Sequence, residues 1–200
     1  DVYKRQALDY LRLLRTVYRY TGRSVTDRKL SDFRLVMRAA RPRLIVLDWG
    51  LLASRFDEAT DIRVFSQLWY MMVTMRSPTD SGPNAYHPLA PAWGQALTVG
   101  GRLILRKGLH GAYQSMTELE QALHDWVDCL ERADGVELRV QATQLPANPS
   151  QDDLFIALRA ADLLKRLDPG LGEPLYDEVV NRFDDVVKIQ VAQVRQRATM

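Results

Sequence analysis

The chain of 200 residues is 46% hydrophobic and 26% charged, a composition typical of a globular domain with a real core. No apolar run approaches the ~18 residues that a membrane-spanning helix needs, so no membrane partner is expected. The single cysteine, Cys129, excludes an internal disulfide framework and fits a reducing compartment such as the cytoplasm.

The net charge of +2 is unevenly distributed along the chain. Residues 1–43 carry 12 Lys and Arg against 4 Asp and Glu, whereas residues 44–200 carry 15 against 21. The basic end has the charge to bind nucleic-acid phosphates, although a solvated face of two Arg-rich helices would show the same balance. The three histidines, His87, His110 and His124, share no metal-ligand spacing with one another or with the cysteine, so no metal site is predicted.

The first six residues, 1–6, resemble an in-frame translation of a transposon end used in sequencing libraries. We therefore expect that they are not part of the natural protein. The natural chain is then expected to continue upstream of Ala7, as part of a larger protein.

The basic end predicts two helices separated by a short strand. Residues 7–21 carry an apolar stripe at helical spacing, which Gly22 ends, and residues 23–26 suggest a short strand. Thr26 or Asp27 is positioned to cap a second helix that runs to about residue 40.

An unbroken apolar run, Leu44 to Leu47, follows this second helix and ends at Asp48. Such a run predicts a strand that is buried on both faces, as in a parallel sheet covered by helices. Ligands of open α/β sheets bind beyond the carboxyl ends of the strands, which is where Asp48 is expected.

The middle of the chain predicts a helix, a long loop and a second buried strand. Residues 57–76 have a helical apolar stripe, and residues 77–91 lack periodicity, which is often the sign of a functional loop. The pair Gly100-Gly101 then predicts a turn into a strand that ends at Arg106-Lys107.

The remaining chain is predicted to alternate again between helix and strand. Ser115 opens a helix to about residue 133 with a capping-box pattern, and residues 136–140 alternate as a strand. Residues 154–158 fit either a helix capped by Ser150 or a strand that pairs with residues 136–143, and periodicity slightly favours the helix. A last helix is predicted from Pro174.

These elements predict an α/β fold that is Rossmann-like. The sheet is mostly parallel with an antiparallel last strand, helices cover both faces, and a helical extension ends the chain. The expected domains are residues 7–159, the C-terminal part of a Rossmann-like domain, and residues 160–200, the helical extension.

The order of the predicted elements resembles the second half of class I S-adenosylmethionine methyltransferases. These elements are a strand ending in Asp, a Gly-Gly turn, a strand ending in a basic residue and two further strands. Over residues 23–165 it looks most like the FtsJ-type RNA ribose 2′-O-methyltransferases. Residues 143–167 particularly resemble the methyltransferase region of the large polymerase protein of non-segmented negative-strand RNA viruses. The resemblance implies S-adenosylmethionine as cofactor, RNA as partner, a role such as mRNA capping, and a location in the host cytoplasm or virion.

These methyltransferases carry a Lys-Asp-Lys-Glu tetrad, which the resemblance places on residues of this chain. Asp48 takes the place of the Asp, and Lys107 takes that of the second Lys, although the usual spacing from Gly-Gly falls on Arg106. Asp153 stands where the family has Glu. A lysine among carboxylates can polarise or deprotonate the ribose hydroxyl, which Arg cannot do because it stays protonated.

Asp27 and Trp49 are the candidate cofactor-binding residues that go with this interpretation. Two alternatives remain open. The chain also resembles a receiver domain of phosphorelay signalling, with Asp48 as phospho-acceptor and Lys107 as its lysine. The third possibility is a catalytically inactive α/β binding module.

Overall fold

The computed structural model describes residues 2–26, 33–38, 41–47, 51–53, 55–78, 85–93 and 97–198. These residues form seven α-helices and two short antiparallel strand pairs. The chain divides into two compact units, Asp1–Asp128 and Cys129–Met200. No helix in the described residues is both long enough and apolar enough to cross a membrane.

The first unit combines four helices with both strand pairs. Its elements, in chain order, are α1 (Val2–Thr21), β1 (Val25–Thr26), β2 (Phe33–Arg38), β3 (Arg41–Val46), β4 (Leu51–Leu52), α2 (Glu58–Thr74), a 3-10 turn (Pro91–Trp93), α3 (Val99–Leu109) and α4 (Met116–Val127). Strand β1 pairs with β4, and β2 pairs with β3. The β2–β3 hairpin is therefore inserted between the two short strands of the other pair.

The core of the first unit is built from helical apolar stripes. Leu8, Leu11 and Leu14 are buried on α1, and the rings of Tyr10 and Phe65 are 5.7 Å apart between α1 and α2. Helix α1 ends at Gly22, which has a φ of +64°, as the sequence predicts. The predicted helix over residues 57–76 is likewise confirmed by α2.

The second unit contains only helices among its described residues. These are α5 (Gly135–Thr143), α6 (Gln151–Leu167) and α7 (Pro169–Ala198). Its core joins α5 and α6 through Leu138, Ala142, Ala160, Ala161, Leu163 and Leu164, with Leu175 and Tyr176 of α7 packed against it. The predicted boundary between residues 159 and 160 falls inside α6.

The predicted Rossmann-like α/β fold is wrong, because the described residues are mostly helical and contain no parallel sheet. The apolar run at residues 44–46 belongs to β3, an edge of an antiparallel hairpin. Ile45 is 45% exposed, so this strand is not buried on both faces. The receiver and inactive α/β module alternatives depend on the same parallel sheet.

Two predicted elements that flank this run are also corrected. Residues 33–38 form strand β2 rather than the end of a helix. Residues 99–109 form helix α3 rather than a turn and a buried strand. Thr98 caps α3 because its hydroxyl accepts a hydrogen bond from the Gly101 N–H at 3.3 Å, and this cap directs the following apolar residues into a helix.

The predicted strand at residues 136–140 is helix α5, which Asp134 caps by accepting from the Val136 N–H at 2.8 Å. The helical alternative for residues 154–158 is confirmed by α6, so the predicted antiparallel last strand is absent from the described residues. The last helix begins at Pro169, five residues before its predicted start, and contains Pro174.

Candidate functional site

The β2–β3 hairpin separates its residues into two chemically different faces. Arg34 pairs with Ile45, Val36 with Arg43, and Arg38 with Arg41. Directly paired residues of antiparallel strands share a face, and successive residues of a strand alternate between faces. One face therefore holds the positions of Arg34, Val36, Arg38, Arg41, Arg43 and Ile45, and we call it the arginine face.

The opposite face of the hairpin is apolar throughout. It holds the positions of Phe33, Leu35, Met37, Pro42, Leu44 and Val46, and β3 lies against α1. On the arginine face, Arg34 is exposed, and Val36 and Ile45 are 40% and 45% exposed. The arginine face is thus open to solvent at these three positions.

The two strands that form the arginine face contribute positive charge to it and no negative charge. Neither β2 nor β3 contains an acidic residue, and Arg38 is directly paired with Arg41. Like charges placed opposite each other destabilise a strand pair, and a two-stranded ribbon has little stability to spare. Such an arrangement is favourable when a polyanion binds to it.

Arg12 and Arg15 of α1 have a different role, because α4 supplies their counter-charge. The Nε of Arg12 lies 3.5 Å from the Glu120 carboxylate, and Arg15 makes an ion pair with the same carboxylate. Arg12 also approaches the His124 ring at 3.1 Å. These contacts join α1 to α4, so Arg12 and Arg15 have a structural role in the first unit.

Lys107, the predicted tetrad lysine, lies on α3 and forms an ion pair with Glu118 of α4. Its Nζ is 2.5 Å from the carboxylate and 4.5 Å from the centre of the Tyr113 ring, and the side chain is 43% exposed. Glu118 also accepts a hydrogen bond from the Gln114 N–H at 2.8 Å. These contacts link the end of α3 to the start of α4, which the Ser115 cap opens as predicted.

This ion pair predicts a pH dependence of stability. The hydrogen bond from Lys107 holds the pKa of the Glu118 carboxyl below its ordinary value near 4.5. Because the folded-state pKa is lowered, the stabilisation is present above the unfolded-state pKa and is lost as pH falls through the folded-state value. Thermal unfolding of Glu118→Gln should therefore occur below the wild-type temperature near pH 7, and the difference should vanish in acid. A difference that does not shrink as the pH falls below 4.5 would contradict this assignment.

Asp153, the predicted partner of Lys107, lies in the second unit, where it caps α6. Its carboxylate accepts hydrogen bonds from the Ser150 hydroxyl at 2.7 Å and from the Ser150 N–H at 2.9 Å. These bonds lower the pKa of Asp153. The reciprocal bond from the Asp153 N–H to the Ser150 hydroxyl completes a capping box, so the described contacts of Asp153 are those of a helix cap.

Arg106, the alternative tetrad position, lies near His87 of the long predicted loop. Burial, followed by the positive charge of Arg106, lowers the pKa of His87. The carbonyl oxygen of His87 accepts from the Trp93 indole N–H at 2.8 Å, and the His110 ring lies 3.1 Å from the Ala85 carbonyl oxygen. This part of the loop is packed onto the helical core.

The other three predicted site residues, Asp27, Asp48 and Trp49, lie outside the described residues. Within the described part of the chain, no group of three or more His, Cys, Asp and Glu side chains is placed to hold a metal ion. The assignments of Asp48, Lys107, Arg106 and Asp153 to a methyltransferase tetrad stay predictions.

The arginine face was missed from the sequence, although a signal for it exists. Residues 33–38 and 41–46 each place arginines at every second or fourth position, which is the period of a strand. The same stretch also fits a helical stripe, and the helical interpretation was the one adopted from the sequence.

Comparisons with protein families, with curated protein sequences and with solved structures find no match to this chain.

Proposed function

We propose that this chain binds RNA through the arginine face of the β2–β3 hairpin. The observation that carries the proposal is the strand register, which places the positions of Arg34, Arg38, Arg41 and Arg43 on the same face of the hairpin. Arginine is suited to phosphate because its planar guanidinium donates two parallel hydrogen bonds. A two-stranded ribbon is also a shape that nucleic-acid-binding proteins use.

The composition of the arginine face favours contacts with the RNA backbone over contacts with base edges. Between its arginines it offers only Val36 and Ile45, and no Asn, Gln or acidic side chain that would pair with base edges. Backbone contacts position a protein on RNA without reading its sequence. We therefore expect binding that depends weakly on sequence and strongly on salt.

Methyl transfer from S-adenosylmethionine to an RNA ribose hydroxyl stays a prediction, as does the cytoplasmic location. What supports a partner that carries phosphates, as RNA does, is independent of the Rossmann-like fold, since the arginine face belongs to an antiparallel hairpin. The proposal therefore concerns binding.

The test is the salt dependence of RNA binding by the full chain. Replacing all four arginines, Arg34, Arg38, Arg41 and Arg43, by Gln should weaken binding of a labelled 20-nucleotide RNA. A single-strand coefficient of ~0.7 per phosphate contact predicts that the slope of log affinity against log salt becomes shallower by up to about 2.8. Fluorescence anisotropy between 50 and 200 mM salt measures this slope.

A matched control removes the same charge from the second unit. Its exposed arginines Arg132, Arg139, Arg159 and Arg166 are replaced by Gln, and the slope is expected to stay close to that of wild type. Circular dichroism confirms that both variants fold. An unchanged slope in the hairpin variant, or an equal change in the control, would overturn the proposal.

A further inference from the structure

The C-terminal end of α1 presents an aromatic ring among cationic side chains. Tyr20 is 87% exposed, and Arg19 and Arg23 on either side of it are exposed as well. Tyr18, two residues earlier, instead stacks on Phe56 with ring centres 3.5 Å apart. Of these two tyrosines, one therefore packs within the unit and the other projects into solvent.

This end of α1 is held by hydrogen bonds on both sides of Gly22. The Gly22 N–H donates to the Tyr18 carbonyl oxygen at 2.7 Å, and the Arg23 N–H donates to the Thr21 hydroxyl at 3.2 Å. The buried hydroxyl of Ser24 accepts from the N–H at the start of α2 at 2.7 Å. The backbone that carries the Tyr20 ring therefore loses little conformational freedom when a ligand binds.

Chain connectivity limits how far the open end of the hairpin lies from the strand pair that follows α1. Strand β1 starts three residues after Gly22, and Thr26 pairs with Leu51. The hairpin lies in sequence between Thr26 and Leu51. Val46, at the open end of the hairpin, precedes Leu51 by five residues. Five residues span at most about 18 Å, which limits the distance between Val46 and Leu51.

We infer that Tyr20 stacks on an unpaired base of single-stranded RNA, with Arg19 and Arg23 contacting the neighbouring phosphates. This inference rests on the proposed RNA binding and supplies the base contact that the arginine face lacks. Proteins that bind single strands combine cationic side chains along the backbone with aromatic rings on which bases stack. The bases of a duplex are already paired and stacked, so Tyr20 selects for single strands.

The test compares Tyr20→Ala with Tyr20→Phe in the full chain. Anisotropy is measured with a 20-nucleotide single-stranded RNA of mixed sequence and with a blunt-ended duplex of the same length. Tyr20→Ala should lower affinity for the single strand at least about fivefold, the minimum for loss of one stacked base, and leave duplex affinity unchanged. Tyr20→Phe keeps the ring and should bind the single strand like wild type.

Salt dependence separates this inference from the proposed function. Tyr20→Ala changes no charge, so it should lower single-strand affinity at every salt concentration without altering the slope. Unchanged single-strand affinity in Tyr20→Ala, or an equal loss on the duplex, overturns the stacking role even if the hairpin variant behaves as proposed. An unchanged slope in the hairpin variant overturns the arginine face alone, and a wild-type chain that binds neither RNA overturns both.

Discussion

Replacing Gly172 by Ala should destabilise the second unit by about 3 kcal/mol or more. Gly172 lies in the first turns of α7, where the helix crosses closely over the end of α6. An added Cβ would overlap the backbone N and Cα of Lys165 and would lie 2.6 Å from the Leu164 carbonyl carbon. Backbone atoms within a helix cannot move aside as a flexible side chain can, so the two helices would have to separate.

The measurement is the loss of protection in hydrogen exchange of peptides from α6 and α7, together with denaturant unfolding. Gly135→Ala is the matched control in the same unit. Its added Cβ meets only Leu164 Cδ1, at 4.0 Å, which is ordinary van der Waals contact. Because Ala has the higher helix propensity, this control should be neutral or stabilise by up to about 1 kcal/mol. Similar effects of the two substitutions would show that α6 and α7 do not approach each other at Gly172.

Replacing Trp126 by Ala should destabilise the first unit by about 3–5 kcal/mol. Trp126 is 2% exposed, and its indole N–H donates to the Thr98 hydroxyl at 2.7 Å. The ring also lies directly over Gly101, where an added Cβ would be 2.5 Å from Cζ2. Truncation would leave a cavity between α3 and α4 and would remove a partner of the residue that caps α3.

Trp126→Phe separates the packing contribution from the hydrogen bond. It keeps an aromatic ring in the site but loses the indole N–H, so we expect a smaller loss of about 1–2 kcal/mol. Denaturant unfolding followed by circular dichroism measures both variants, and hydrogen exchange of α3 locates the effect. A loss for Trp126→Ala no larger than that for Trp126→Phe would mean that the ring does not hold α3 against α4.

The sequence by itself determined the elements whose signals are local. Gly22 ends α1 and Ser115 opens α4, because a cap is a contact between residues a few positions apart. The apolar stripe of α2 also identified its helix correctly, because a helical period sustained over seventeen residues does not fit a strand.

Only the tertiary structure decided between helix and strand in the short apolar runs. Residues 103–105 and 136–140 were predicted as strands, yet each lies in a capped helix and has no strand partner. Residues 33–38 fitted a helical stripe, yet they pair with residues 41–46. A short apolar run fits both the helical period of 3.6 residues and the strand period of 2. Its backbone forms hydrogen bonds within a helix or with a second strand, according to which partner the tertiary structure supplies. The arginine face likewise depends on residues 33–38 forming a strand rather than a helix. Its four arginine positions share one face because of the strand register, and a register is a relation between two segments of the chain.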